Sequence, residues 1–337
     1  MASLRSYIIT RLLLVIPMIF IVLTVIFIVL RILPGDPVIT VLGPKATAEE
    51  RERLREQLGL NKPIYIQYIE YLGNIVRGDL GRSLIFGRRL VVDEIMDRFP
   101  ATVELAITSL LFGAGLGILV GSLGALSRRK SVDILSRLYG IISYSFFIPW
   151  LGLMLQMGLS IGLGLFPVSG RIDPLLTPPR ITGLYLVDSI ITGRFDSFLN
   201  ALWHITLPTV TLGIVISGIF AKLGRTSFSE VLVQDHVLAA RARGVREPTI
   251  FRHHVAKNAI VPIMTMMGLQ FALLLGGTVL TEATFSWPGM GYLLFERILY
   301  RDYNVIQGVL IIFGLLVALI NLVVDILYAY VDPRVRF

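Results

Sequence analysis

The sequence predicts an all-α membrane protein with six transmembrane helices. The 337-residue chain is 55% hydrophobic and 16% charged, whereas soluble domains carry about a quarter charged residues. Aspartate, glutamate, lysine and arginine are absent from six runs, which are residues 12–30, 105–127, 138–170, 197–221, 258–281 and 303–324. Each run is long enough to cross the roughly 30 Å hydrocarbon core as a helix. A transmembrane barrel is excluded because its strands are short and alternate in polarity.

The segments between the runs predict that both termini are cytoplasmic. In this topology the inner segments are 1–11, 128–137, 222–257 and 325–337, and they carry 15 Lys or Arg against six Asp or Glu. Positive charge concentrates in cytoplasmic loops near the ends of spans. The net charge of +8 therefore reflects topology and does not indicate a nucleic-acid partner. The first run exceeds the apolar region of a cleavable signal peptide and no small-residue cleavage site follows it, so we expect it to remain as a span.

A small extracytoplasmic helical segment is predicted after the first span. Thr47 is a candidate N-cap of one helix, Gly59 is its expected stop, and a second helix is expected from Pro63 through Tyr71. We therefore divide the chain into a tail with the first span (1–30), the extracytoplasmic segment (31–100) and a core of five spans (101–337).

The six runs lack the groups that chemistry at membrane depth requires. Ion-coupled transporters and intramembrane enzymes need ionisable or nucleophilic side chains there, and the runs contain no charged residue. The chain has no cysteine and no GxxxxGK[ST] sequence, so another polypeptide must hydrolyse ATP if ATP drives this protein. We expect no catalytic residue, metal or cofactor in this chain. Gly113, Gly117, Gly121 and Ala125 share one helical face and predict close packing against another helix.

The long inner loop, residues 226–257, carries the functional prediction. Ser229 is placed to cap a helix from Glu230 to about Arg243, Gly244 to end that helix in a left-handed conformation, and Pro248 to start a second helix that enters the fifth span. Together the two short helices would form a projecting bracket that offers small residues and arginines to a partner protein. The alternative is a solvated basic loop or a contact with lipid headgroups. The candidate residues for coupling to such a partner, called the candidate coupling residues, are Asp235, Leu238, Ala239, Ala240, Arg241, Ala242, Arg243 and Gly244.

This loop resembles the EAA-type cytoplasmic loop of ABC importer permeases, in the form typical of the peptide and nickel subfamily. Leu238-Ala239-Ala240 stands where the general pattern has Glu-Ala-Ala, Gly244 matches its glycine, and the sequence from His254 to Lys257 replaces Ile-x-Leu-Pro, as in that subfamily. Other motifs along nearly the whole chain resemble the first of the two permeases of dipeptide and oligopeptide importers. They are LPGDP (33–37), LGLNKPIYIQY (58–68), GDLGRS (78–83), ATVELA (101–106), FSWPGMG (285–291), RDYNVIQG (301–308) and DPRVRF (332–337).

The resemblance implies the membrane-spanning permease subunit of an ATP-driven importer in a prokaryotic cytoplasmic (inner) membrane, with no catalysis of its own. It implies a heterodimer with a second homologous permease, two cytoplasmic ATPase subunits that hydrolyse Mg-ATP, and an extracytoplasmic substrate-binding protein. Di- and oligopeptides are the expected cargo, and nickel, glutathione or oligosaccharides are alternatives for the same machinery. A secondary transporter or a channel is the alternative from another class.

The FSWPGMG motif predicts a stiff outer turn with an aromatic tip. Trp287, Pro288 and Gly289 are the candidates for an outer gate or a contact with the binding protein. The alternative is a turn that Trp287 anchors at the membrane interface, where tryptophan is enriched.

Overall fold

The architecture is that of a computed structural model, which describes residues 4–32, 38, 42, 46–57, 59–127 and 129–331. The described residues are mostly helical. In chain order the α-helices are α1 (Leu4–Ile32), α2 (Ala48–Gln57), α3 (Ile64–Val76), α4 (Val91–Leu126), α5 (Lys130–Ser145), α6 (Ile148–Leu155), α7 (Tyr185–Ile191), α8 (Phe195–Leu232), α9 (Asp235–Ala242), α10 (Glu247–Ile250), α11 (Ala256–Gly277), α12 (Val279–Thr284), α13 (Met290–Leu299) and α14 (Tyr303–Val331). The motifs at 33–37 and 332–337, and Arg128, lie outside the described residues.

Five of the predicted spans correspond to helices that are long and apolar enough to cross a membrane. These are α1, α4, α8, the continuous segment from α10 to α11, and α14. With 36 and 38 residues, α4 and α8 are each about 55 Å long at 1.5 Å per residue, well beyond the hydrocarbon core. The structure thus starts α4 at Val91, inside the segment predicted to be extracytoplasmic.

The third predicted span is not a straight helix. α5 and α6, with the π-helical turn Gln156–Gly162 that continues α6, form an apolar pair bent by 97°. Pro149 explains the break, because proline has no N–H to donate to the carbonyl of Ser145 and its ring clashes with that carbonyl. The described residues therefore provide five candidate spans, or six if this bent pair is one span.

α4 and α8 pack closely along the predicted stripe of small residues. A Cβ on Gly113 would lie 2.8 Å from the Gly213 carbonyl oxygen, and one on Gly121 would lie 2.5 Å from the Ala221 carbonyl oxygen. The contact advances in the same direction along both helices, so α4 and α8 are parallel, as a second and a fourth span must be. The prediction of close helix packing at this stripe is confirmed.

Two ion pairs bring the predicted inner segments together. Arg11 Nη1 on α1 lies 3.2 Å from Asp325 Oδ2 on α14, and Arg225 Nε on α8 lies 2.5 Å from Asp133 Oδ1 on α5. We call the end of the helix bundle that carries these pairs the inner end and the opposite end the outer end, after the predicted topology.

The two predicted helices of the outer segment are confirmed. Thr47 and Glu50 form a capping box, in which Glu50 Oε2 accepts from the Thr47 N–H at 2.8 Å and Thr47 Oγ1 accepts from the Glu50 N–H at 3.3 Å. These hydrogen bonds from Thr47 lower the pKa of Glu50. Gly59 has φ +65° and follows the end of α2. α3 extends to Val76 and packs its Tyr71 against α1, where Tyr71 Oη donates to the Leu23 carbonyl oxygen at 3.1 Å.

Candidate functional site

The inner loop folds as a bracket, residues 233–255, between α8 and α11. The helix predicted to begin after Ser229 does not start there, because α8 continues through Ser229 to Leu232. The capping role of Ser229 is therefore wrong: its N–H lies inside a regular helix. The bracket consists of α9, a turn at Gly244, α10, and the π-helical turn Phe251–Val255 that leads into α11.

Gly244 ends α9 as predicted. It has φ +76°; its N–H donates to the Arg241 carbonyl oxygen at 2.9 Å, and the Val245 N–H donates to the Ala240 carbonyl oxygen at 3.2 Å. These two hydrogen bonds define a Schellman motif. A Cβ at this glycine would meet nothing within 4 Å, so the glycine is needed for its backbone conformation and leaves an open surface.

One side of the bracket is anchored in the hydrophobic core. Val237, Ile250 and Val255 are fully buried, and they join the core cluster formed by α4, α8 and α11. Phe251 stacks on Phe228 of α8 with ring centroids 5.8 Å apart. The bracket is therefore packed against the core at both of its ends.

The opposite side of the bracket is exposed, and it contains most of the candidate coupling residues. Leu238 is 49% exposed, with Asp235, Ala239, Ala242, Arg243 and Gly244 also exposed. Ala240 is the exception, at 7% exposure. The prediction that the Ala240 methyl group is part of the exposed surface of the bracket is wrong, because Ala240 lies on the side of α9 that faces the core.

The arginines of the bracket also differ from the prediction in one respect. Arg241 Nε donates to Glu247 Oε1 at 2.9 Å across the turn, so its charge is already paired within the chain. This pair ties the end of α9 to the start of α10. Arg243 and Arg246 are exposed and are available to acidic groups on a partner.

The aromatic side chain of the FSWPGMG motif, predicted to lie at the tip of an exposed turn, is buried. Trp287 is 0% exposed, and its Nε1 donates to the Ala101 carbonyl oxygen on α4 at 2.9 Å. The predicted surface contact of Trp287 with a binding protein and the alternative, an anchor at the membrane interface, are therefore both wrong for this side chain. The indole fills the space between the loop and α4. Pro288 is half-buried and Gly289 is buried.

Glu282 on α12 holds this loop in place and was missed by the sequence analysis. It is fully buried, and it accepts hydrogen bonds from Thr102 Oγ1 at 2.7 Å, Thr278 Oγ1 at 3.0 Å and the Tyr292 N–H at 2.9 Å. A Cβ on Gly291 would lie 3.0 Å from Glu282 Oε2. The motif thus needs a glycine there because the loop backbone closes around this carboxyl group.

A cleft of about 470 Å³ opens at the outer end between α4, the loop before α7, and α13. Its charged lining consists of Arg89, Glu94, Asp97, Arg98, Arg171 and Arg297. We call it the outer cleft. Pro288 also lines it, which is the one candidate of the FSWPGMG motif that reaches this surface.

Two buried ion pairs form the wall of the outer cleft. Arg171 Nη2 lies 2.6 Å from Glu104 Oε2, and Arg297 Nη2 lies 2.9 Å from Glu94 Oε2. Both arginines also lie over aromatic rings, Arg171 over Tyr185 at 3.8 Å and Arg297 over Phe86 at 3.6 Å. The sequence carries a signal for Glu104 alone, which directly precedes a charge-free run; it carries none for the pairing with Arg171, which is 67 residues away.

The buried carboxylate of Asp188 shapes the loop beside the outer cleft. Burial raises its pKa, but hydrogen bonds from the Thr182 side chain and from the N–H groups of Thr182, Ile181 and Gly183 outweigh this, so the pKa of Asp188 lies below its usual value. The carboxylate thus fixes the turn that carries the Gly183 carbonyl oxygen, which accepts from Arg171 Nη2 at 2.7 Å.

Comparison with known proteins identifies the family. The family described as "Binding-protein-dependent transport system inner membrane component" matches residues 113–337, and the N-terminal family of the same membrane components matches residues 4–106. The chain belongs to this family. Its members are membrane components of transport systems, in agreement with the sequence analysis.

Relatives of this inner membrane component are similar over their full length. The chain is 41% identical to the di/tripeptide transport system permease protein DppB of Pseudomonas aeruginosa (strain UCBPP-PA14), over 98% of both chains. It is 37% identical to the dipeptide transport system permease protein DppB of Escherichia coli (strain K12), again over 98% of both. It is 39% identical to the glutathione transport system permease protein GsiC of that strain, over 98% of this chain and 99% of the relative.

Solved structures agree with the fold of this family. A methionine ABC transporter, MetNI, in an inward-facing conformation, has a TM-score of 0.50 at 17% identity, covering 72% of this chain and 96% of that one. An amino acid ABC transporter has a TM-score of 0.50 at 13% identity, covering 71% and 94%. At these identities the likeness concerns the fold alone.

Proposed function

We propose that this inner membrane component is the permease subunit of an ATP-driven importer of di- and oligopeptides, and that it has no catalytic role itself. The cargo is supported by relatives named for dipeptide, di/tripeptide and glutathione transport, all of which carry short peptides. Nickel and oligosaccharides are the alternative cargoes for the same machinery.

The proposed orientation places both termini in the cytoplasm of a prokaryote and the outer cleft outside its inner membrane. The Arg11–Asp325 and Arg225–Asp133 pairs support it, because they gather at one end the basic segments predicted to be cytoplasmic. The basic bracket belongs to that end.

The bracket is the proposed contact with two cytoplasmic ATPase subunits. The observation that carries this proposal is its two-sided construction: Val237, Ala240 and Ile250 are buried on one side, and Ala239 and Ala242 leave a low, exposed surface on the other. A coupling element must dock on its partner and transmit a two-state change to a distant site. A second permease would complete the translocation path, and an external binding protein would deliver the cargo.

The test is Ala239→Asp in the assembled importer, with binding-protein-stimulated ATPase activity and peptide uptake measured together. A carboxylate buried without a partner in a docked surface is costly, so we expect both activities to fall about tenfold or more. The matched control is Ala48→Asp, the same change at the exposed start of α2, which should leave both activities unchanged. Wild-type uptake by Ala239→Asp would remove the bracket from the coupling path.

A further inference from the structure

Arg98 is the arginine of the outer cleft whose charge is not balanced. Arg89 Nη2 lies 3.0 Å from Asp97 Oδ2, while Arg171 and Arg297 pair with Glu104 and Glu94. Arg98 is half-buried and lines the cleft, yet it has no ion pair or hydrogen bond within the part of the chain that the structure describes. A cation in a partly desolvated cleft favours an anionic partner.

The wall of the cleft also contains buried polar atoms that lack partners. Glu94 and Arg297 are 5% and 6% exposed, and Glu94 Oε1, Arg297 Nε and Arg297 Nη1 have no hydrogen-bond partner among the described residues. Buried polar atoms in native proteins are nearly always hydrogen-bonded. These atoms are themselves buried in the wall, and Arg297 Nη1 lies 3.7 Å from Glu296 Oε2. The Glu94–Arg297 pair therefore forms a fixed, charged wall, and Arg98 is the half-buried charge, unpaired within the described ranges, that lines the cleft.

These groups occupy fixed positions relative to one another. Glu94 and Arg98 are four residues apart on α4, which places their Cβ atoms about 6 Å apart on the same face. Glu94 Oε2 is nevertheless engaged with Arg297 from α13. Because Glu94 is engaged with Arg297, it does not neutralise Arg98. The charged lining holds four arginines against Glu94 and Asp97, so the cleft offers a site for an anion at Arg98.

We propose that the outer cleft is a binding site for the C-terminal end of a short peptide, with Arg98 holding the free carboxylate. The cleft volume of about 470 Å³ falls in the range of small-molecule sites, and a concave site with an excess of arginines suits the carboxylate of a small ligand. This inference rests on the proposed peptide cargo and adds a recognition site on the permease itself.

The test measures direct binding to the importer complex in lipid nanodiscs without binding protein. The probes are radiolabelled Ala-Ala and its C-terminal amide, which lacks the carboxylate. A lost charge-assisted pair is expected to weaken binding about tenfold, so wild type should prefer Ala-Ala over the amide by that factor. Arg98→Gln should abolish this preference, and Arg98→Lys should retain part of it. Arg77→Gln is the control, because Arg77 is exposed on the same outer side and does not line the cleft.

Equal binding of Ala-Ala and its amide to the wild-type complex would overturn the inference without reference to any variant. A preference that persists in Arg98→Gln would also overturn it. If Arg98→Gln instead weakened only the affinity of the complex for its binding protein, the cleft would be a protein contact and the inference would be wrong. Uptake by the wild-type complex is measured in parallel: absence of ATP-driven peptide uptake would refute the proposed function, whereas normal uptake with no acid–amide preference refutes this site alone.

Discussion

Gly117 and Gly115 on α4 allow the packing of the helix core to be tested with a matched pair. A Cβ on Gly117 would lie 2.5 Å from Phe220 Cβ and 2.9 Å from the Ala221 backbone nitrogen on α8. Gly115, two residues away on the same helix, is exposed, and a Cβ there would meet nothing within 4 Å. Gly→Ala at both positions therefore changes helix propensity equally and changes packing only at Gly117.

The expected difference follows from that geometry. Gly→Ala in a helix interior is favourable by about 1 kcal/mol from propensity, so Gly115→Ala should be neutral or stabilising. At Gly117 the obstructing atoms include backbone, which cannot move aside as a side chain can, and overpacking costs about 1–3 kcal/mol. Because the propensity effect cancels, Gly117→Ala should be less stable than Gly115→Ala by about 1–3 kcal/mol.

Thermal unfolding of the purified chain in one detergent provides the measurement. At about 2–4 °C per kcal/mol for a large domain, the midpoint of Gly117→Ala should lie several degrees below that of Gly115→Ala. Equal midpoints for the two variants would refute the close α4–α8 contact and, with it, the parallel arrangement of the second and fourth spans.

Three further predictions concern single contacts. Thr47→Ala removes the N-cap of α2 and should raise the amide hydrogen exchange rate of this helix about fivefold. Because the pKa of Glu50 is lowered in the folded protein, the protection of α2 in wild type should be intact above the usual pKa of a glutamate and fall as the pH drops below that value. Ala240→Asp buries a charge against the core and should reduce the yield of folded protein, whereas Ala239→Asp should purify as wild type does. Glu282→Leu leaves three buried donors without an acceptor and should lower stability by at least about 3 kcal/mol, while Glu282→Gln, which keeps one acceptor oxygen, should lose less in the same thermal assay.

The sequence was informative wherever the physical signal is local. Charge-free runs located five helices, the pattern from Thr47 to Gly59 located α2 with its cap, and Gly244 was placed correctly because a left-handed helix end depends on one residue. Pro149 is also a local signal for a break in a helix. Hydropathy contains no information about the direction of the chain, however, so the third run was predicted to be one continuous span.

The sequence was misleading wherever tertiary contacts decide the outcome. Trp287 sits in a loop between apolar segments, and nothing local distinguishes an exposed indole from one that donates to the Ala101 carbonyl oxygen far away in sequence. Ser229 has the residue type of a helix cap, yet α8 continues through it because Phe228 and Val231 are buried against the core. The pairs Glu94–Arg297 and Glu104–Arg171 were invisible for the same reason.

The outer cleft and the bracket lie on helices that are in direct contact, and this decides how a change at one site can reach the other. α8 is one helix from Phe195 at the outer end to Leu232 next to the bracket, and α4 carries Glu94 and Arg98 of the cleft at its outer end. At Gly113 and Gly121 the backbones of the two helices are in close contact. The bracket follows directly on α8, which packs against α4. The proposed ligand of the cleft and the proposed partner of the bracket would therefore contact the same closely packed helix pair, which gives reciprocal coupling between the two sites a physical route.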